Sequence, residues 1–388
     1  MLDIIKGQKD FVFSVAEKAY FEFLRYCLDA SYPLPVSAMS IDWHDLLFWA
    51  ERQSIIGIIF GGITDVRCQR EVGKSRLQIP SEILMKWIGY AYQIKNRNQL
   101  LNKRCVELTE RLRNEGFDCC ILKGQGNAVM YPNPYSRTPG DIDVWVMPGE
   151  RLRCNGSRLN AKEVIRLARE KNPSAKACYH HVDYGDFNGV EVELHYRPSY
   201  IFNPLHNYRL QRWLSKMADD GWMMAELPDG VGTICVPDRE FNIIFQLSHV
   251  YNHLLHEGIG LRQVIDYYYL LKSNTNRTNN TNIQEALRNL GLEKIAGAMM
   301  WVLNKILGLD EEYLIAPKNE MCGKVLLAEI MKGGNFGQSD VENQKATTAV
   351  KKNILRIKRD IRLMRYFPSE CLWEPAFRIY HYFWRQFH

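Results

Sequence analysis

The run GDIDVWV, residues 140–146, constrains this chain more than any other stretch. Its residues alternate, so the sequence predicts a β-strand with Asp141 and Asp143 on one face and Ile142, Val144 and Val146 on the other. The apolar face must pack against a core, which leaves two like charges together on the opposite side. A second alternating pair of runs lies in ACYHHVDYGDFNGVEVELHYRP, joined around Asn188-Gly189, a strong hairpin signal. On its second strand Glu191, Glu193 and His195 share a face. If the two strands are neighbours, three or four carboxylates converge on one patch of sheet.

Such a cluster raises the pKa of its own members unless positive charge sits in it. Oxygen donors without thiolates suit magnesium or manganese. The competing structural reading makes Asp141 a turn cap after Pro139-Gly140 and the glutamates the wet face of a sheet. What precedes Asp141 favours the site. The segment ILKGQGNAVMYPNPYSRTPGDIDVWV reads as a buried strand ending at Lys123-Gly124, a short helix, and Arg137 four residues before Asp141. A glycine at such a turn lets the backbone approach a phosphate, and Lys123 and Arg137 neutralise its charge. The structural alternatives are an exposed turn lysine and an Arg137 ion pair with Asp141 or Asp143.

Around this middle the periodicity is helical. The predicted fold is α+β, a small mixed sheet with a helical region on either side. The expected divisions are 1–115 (N-terminal helices), 116–235 (α/β core) and 236–388 (C-terminal helices with a basic tail). With 388 residues, more than one domain is expected. The polar run SNTNRTNNTN, residues 273–282, reads as a loop. His249, His253 and His256 lie in one helical segment, with His249 and His253 on one face, but they lack a third ligand of another kind, so they are read as lining a cleft or capping a core. Arg262 and Asp266 stand at i, i+4, the spacing of an ordinary helix pair. One of Tyr267, Tyr268 and Tyr269 is a candidate ring for stacking on a base.

Ten scattered cysteines, without any Cys-x-x-Cys pair, point to reduced thiols in a cytoplasmic protein. The first twenty residues lack the apolar core of a secretory signal, and no window approaches the roughly 18 apolar residues of a spanning helix. The net charge of +6 leans on KKNILRIKRDIRLMR. Its basic residues are not interleaved with aromatics, so nucleic acid is not the favoured partner.

The run from Leu122 to Val146, with Glu193 and His195 behind it, resembles the uncharacterised nucleotidyltransferases of the DNA polymerase β-like superfamily. They carry a Leu-Lys-Gly turn, an Arg, Gly-Asp-x-Asp, and a later strand with a third carboxylate before His. The resemblance extends more weakly over the helices to residue 271. It implies a small mixed-sheet nucleotidyltransferase core, with Asp141, Asp143 and Glu193 as catalytic residues that hold two metal ions, Mg2+ or Mn2+, for two-metal transfer. Lys123, Gly124, Arg137, His195 and Arg262 would bind the nucleotide. The implied reaction moves a nucleoside monophosphate from an NTP to a hydroxyl of an unknown acceptor and releases pyrophosphate. The superfamily commonly has Gly-Ser at the phosphate turn, where this chain has Lys123-Gly124-Gln125. That departure leaves open an inactive nucleotide-binding scaffold or a toxin–antitoxin component.

Overall fold

The structure is a computed structural model, and it describes residues 13–69, 77–149, 161–219, 222–273, 280–337 and 348–388. Residues 1–12 and most of the 273–282 run lie outside these. Of that run, residues 280–282 belong to a helix (Asn280–Asn289) rather than to the loop read from composition.

Four strands form the main sheet: β1 (Phe117–Ile121), β2 (Ile142–Pro148), β3 (His181–Asp186) and β4 (Glu191–His195), in the order β1-β2-β4-β3. The β1/β2 and β3/β4 pairs are antiparallel and β2/β4 is parallel, so the sheet is mixed as expected. Asn188 and Gly189 both adopt positive φ, 51° and 88°, the turn geometry that matches the twist of a two-stranded ribbon. A small two-stranded sheet, Met223–Glu226 with Thr233–Val236, lies beside it.

The alternation read from GDIDVWV decides how the sheet packs. Ile142, Val144 and Val146, with Val192 and Leu194 of β4, are buried in one apolar cluster. Helices α1 (Ser81–Asn114) and α2 (Ala161–Lys171) fill it with Leu101, Leu108, Val164 and Ile165. The opposite face contributes Cys120, Leu122, Trp145 and Met147 to a second, larger cluster. There it meets α3 (Arg239–His256), where Trp145 stacks on Phe241 at 5.4 Å. The carboxylates stand on this second face, beside α3 and α4 (Leu261–Lys272).

The N-terminal helices join that same larger cluster. Gln53 bridges outward, its Nε2 donating to Ile330 O at 3.1 Å and its Oε1 accepting from Leu261 N at 2.9 Å. Tyr267, Tyr268 and Tyr269 are all buried in this packing. Tyr267 donates to Ile243 O and Tyr269 to Leu28 O, so none is placed to stack on a base. No helix among the described residues is long and apolar enough to cross a membrane.

Candidate active site

The parallel pairing of β2 and β4 sets Asp143 directly opposite Glu193 and Trp145 opposite His195. Asp141, Asp143 and Glu193 each present an oxygen, and these atoms lie within 4.8 Å of one another. The arrangement is a compact trio of hard donors able to hold a divalent cation. Glu191, which the same alternation made a candidate, is exposed and pairs with Asp186 at the far end of the strand.

Repulsion inside this trio was the expectation, and the structure corrects it. Lys123 Nζ lies 3.2 Å from Asp143 Oδ1, and His195 Nε2 donates to the same oxygen at 3.0 Å. His195 Nε2 also lies 3.4 Å from Glu193 Oε2, and His181 Nδ1 lies 3.1 Å from it. Burial would raise the Asp143 pKa, but Lys123 and the His195 hydrogen bond overcome it and lower it. Glu193 is likewise held down to about 2 against burial, by His195 and His181. Burial opposes the Lys123 charge, yet Asp143, Asp141 and Glu193 raise its pKa to about 12. Asp143 Oδ2 is buried without a hydrogen-bond partner, an acceptor that a bound cation would satisfy.

His195 is the titration to watch. Burial pushes its pKa down, but the bonds to Asp143 and Glu193 raise it to about 9, against about 6.5 in an unfolded chain. A raised pKa stabilises the fold fully below the unfolded value, and that contribution is lost as pH rises through the folded one. The metal-free protein should therefore have a lower urea midpoint at about pH 9.5 than at about pH 6.5, and His195→Gln should shrink the difference. Equal midpoints in the parent protein would remove the charged His195 from the site.

Lys123 and Gly124 end the segment after β1. Gly124 has φ 61° and ψ −110°, a conformation essentially closed to L-residues. The helix after it, Gln125–Ala128, is a single turn. This backbone makes even Gly124→Ala cost about 1–3 kcal/mol, so a thermal melt should register it before any binding assay does.

Arg137 is read from the sequence as a phosphate ligand or a partner of Asp141 or Asp143. Its observed partner is Asp266, 129 residues away. Arg137 Nε and Nη2 donate to the two Asp266 oxygens, each at 2.8 Å, and both residues are buried. Tyr131 OH donates to Asp266 at 2.6 Å and Asn127 Nδ2 at 3.1 Å, while Gln246 Nε2 donates to Asn127 Oδ1. Asp266 is therefore more than an i, i+4 partner of Arg262, whose charge also acts on it and whose Nη1 donates to Thr138 O at 3.2 Å. The Asp266 network was invisible in the sequence because its members are spread over four segments. On the other side of this loop, Asn98 of α1 donates to Arg137 O at 2.9 Å and fixes its backbone.

Two cavities meet at the carboxylates. A narrow cleft with about 40 Å³ of open space is walled by Lys123, Gly124, Arg137, Asp141, Asp143 and Arg262. A cavity of about 570 Å³ shares Lys123, Asp141 and His249 with it and continues past Glu193 and His195. His249, His253 and His256 all line this larger cavity, as the cleft reading expected.

A family model for uncharacterised nucleotidyltransferases matches residues 39–308, more than half of the chain and spanning both the sheet and the helices that close the site. The chain belongs to this uncharacterised nucleotidyltransferase family. Among solved structures, the chain is similar to an antigenic nucleotidyltransferase-like protein from Paracoccidioides brasiliensis. That likeness is 14% identical with a TM-score of 0.33, covering 57% of this chain and 95% of the other. No curated protein matches the chain. For a nucleotidyltransferase, the family reading implies a nucleotide substrate, and the acidic trio supplies donors for a divalent metal.

Proposed function

We propose that this nucleotidyltransferase is magnesium-dependent and transfers a nucleoside monophosphate from an NTP to a hydroxyl, releasing pyrophosphate. The observation that carries the reading is the in-register pairing of Asp143 with Glu193, with Asp141 beside them, where a basic turn and a roomy cavity meet. Three carboxylate oxygens and the unpartnered Asp143 Oδ2 fit a hard divalent cation held by Asp141, Asp143 and Glu193. When bound, that ion supplies charge neutralisation for the phosphates and for the attacking oxygen.

The chain's own residues do the rest. Lys123 and Arg262 line the narrow cleft and offer positive charge to the phosphates, and Gly124 keeps that wall free of a side chain. Arg137 holds the cleft's far wall through Asp266. The larger cavity has the room for the acceptor, whose hydroxyl attacks the α-phosphorus. Its oxygen forms the new P–O bond, the bond to pyrophosphate breaks, and the hydroxyl proton passes to a carboxylate of the trio.

Two observations favour a second reading: Lys123 is already engaged by Asp143, and the cleft beside it is narrow. A nucleotide-binding scaffold would be built that way. Incubating the protein with magnesium, a cell extract and NTPs labelled at the α-phosphate separates the two. The expected result is label on an acceptor with pyrophosphate release, both reduced at least about 1,000-fold in Glu193→Gln. NTP binding with no label transferred to any extract component would leave the scaffold reading standing.

A further inference from the structure

We propose that Cys178, His180 and His181 form a second metal site, of the zinc type, on the wall of the larger cavity. Each offers one ligand atom, and these atoms lie within 4.8 Å of one another. Cys178 Sγ is 3.4 Å from His180 Nδ1, and His180 Nε2 is 3.1 Å from His181 Nδ1. The two contacts use different nitrogens of the His180 ring, of which one ion takes only one; what bears on its shell is that one donor atom from each of the three residues lies within 4.8 Å of the others.

The backbone holding the three is fixed from several directions, which is what keeps a donor set together before the ion arrives. Cys178 N donates to His181 O at 2.9 Å, and Ala177 bridges to Val182. Tyr196 N and Arg197 N both donate to His180 O, and the Tyr196 hydroxyl donates to Cys178 O. Arg197 Nη1 donates to Tyr179 O at 2.6 Å, and His381 Nε2 accepts from Tyr179 N at 3.1 Å. All three ligand residues are half-buried and line the cavity, so a fourth coordination position would open onto it. Three protein ligands with an open fourth position is the pattern of zinc sites that bind water or a substrate oxygen.

The chemistry of the donors separates this site from the carboxylate trio. One sulfur and two imidazoles select zinc or cobalt, whereas three carboxylates select magnesium or manganese. Binding a divalent ion here releases the Cys178 thiol proton as the sulfur–metal bond forms. The two sites adjoin, since His181 Nδ1 also lies 3.1 Å from Glu193 Oε2. The proposal does not depend on nucleotidyl transfer, because its test contains no nucleotide.

The experiment strips the full-length protein with a chelator and titrates it with cobalt, without magnesium or NTP. The expected result is one ion per chain giving thiolate-to-cobalt charge-transfer absorption, displaced by one equivalent of zinc. Cobalt on the trio alone would carry no such band. Cys178→Ser should abolish the absorption and weaken zinc binding at least about tenfold, while Asp141→Asn should leave both unchanged. His180→Gln, which keeps the thiol, should also weaken zinc binding at least about tenfold, and it serves if the serine variant does not fold. Absence of the band in the parent, its persistence without Cys178, or a smaller loss of zinc affinity in the variants would each overturn the site.

Discussion

Asp143→Asn should abolish nucleotidyl transfer and lower the melting temperature of the metal-free protein. The sequence pattern taken alone points the other way, since removing one of two neighbouring aspartates should relieve repulsion. The structure reverses the sign because Asp143 is 1% exposed and holds Lys123 and His195 at 3.2 and 3.0 Å. Neutralising it leaves two buried cations short of their principal partner, and breaking a buried pair from one side costs about 3–5 kcal/mol. For a chain of this size that is a loss of several degrees. The same variant should lose the rise in melting temperature that magnesium with NTP gives the parent, which amounts to about 2.7 kcal/mol at a ligand concentration near 100 times Kd. A metal-free melt equal to or above that of the parent would mean that repulsion dominates after all.

The parts of this site that were legible in the sequence are those set by short-range geometry. Alternation alone placed Asp141 and Asp143 on one face, and the Asn188-Gly189 turn put Glu193 and His195 on a hairpin strand. Neither reading requires knowing what lies across the cleft. Charge partners do require it. Arg137 offered two carboxylates within six residues, yet it pairs with Asp266, because α4 packs over the loop and buries both groups with Arg137 Nε and Nη2 on the two Asp266 oxygens. Likewise Tyr267, Tyr268 and Tyr269 looked available for a ligand, and burial of their whole helix removed them. The Cys178, His180 and His181 cluster had a local signal, three metal-ligand residue types within four positions. Its significance depended on the cavity wall they share, which only the packed helices define.

Asp266→Asn should be among the most destabilising conservative substitutions in the chain. The carboxylate accepts four hydrogen bonds, two from Arg137 and one each from Tyr131 and Asn127. The amide cannot accept all four, and it leaves the Arg137 guanidinium buried without a counter-charge. A loss of about 3–5 kcal/mol is expected in urea denaturation. Arg137→Met should cost less, because Tyr131 and Asn127 still donate to the remaining carboxylate. The double variant Arg137→Met with Asp266→Leu removes both charges together. It should therefore recover about 1–3 kcal/mol relative to the sum of Arg137→Met and Asp266→Leu measured singly. Arg137→Lys separates this role from direct phosphate contact, since a lysine keeps the charge but not the planar fork that spans both Asp266 oxygens. If Arg137 mainly locks α4 to the loop before β2, Arg137→Lys loses stability while the folded fraction binds NTP with nearly unchanged affinity. A lysine variant as stable as the parent but clearly weaker for NTP would move Arg137 from the wall of the cleft to the nucleotide itself.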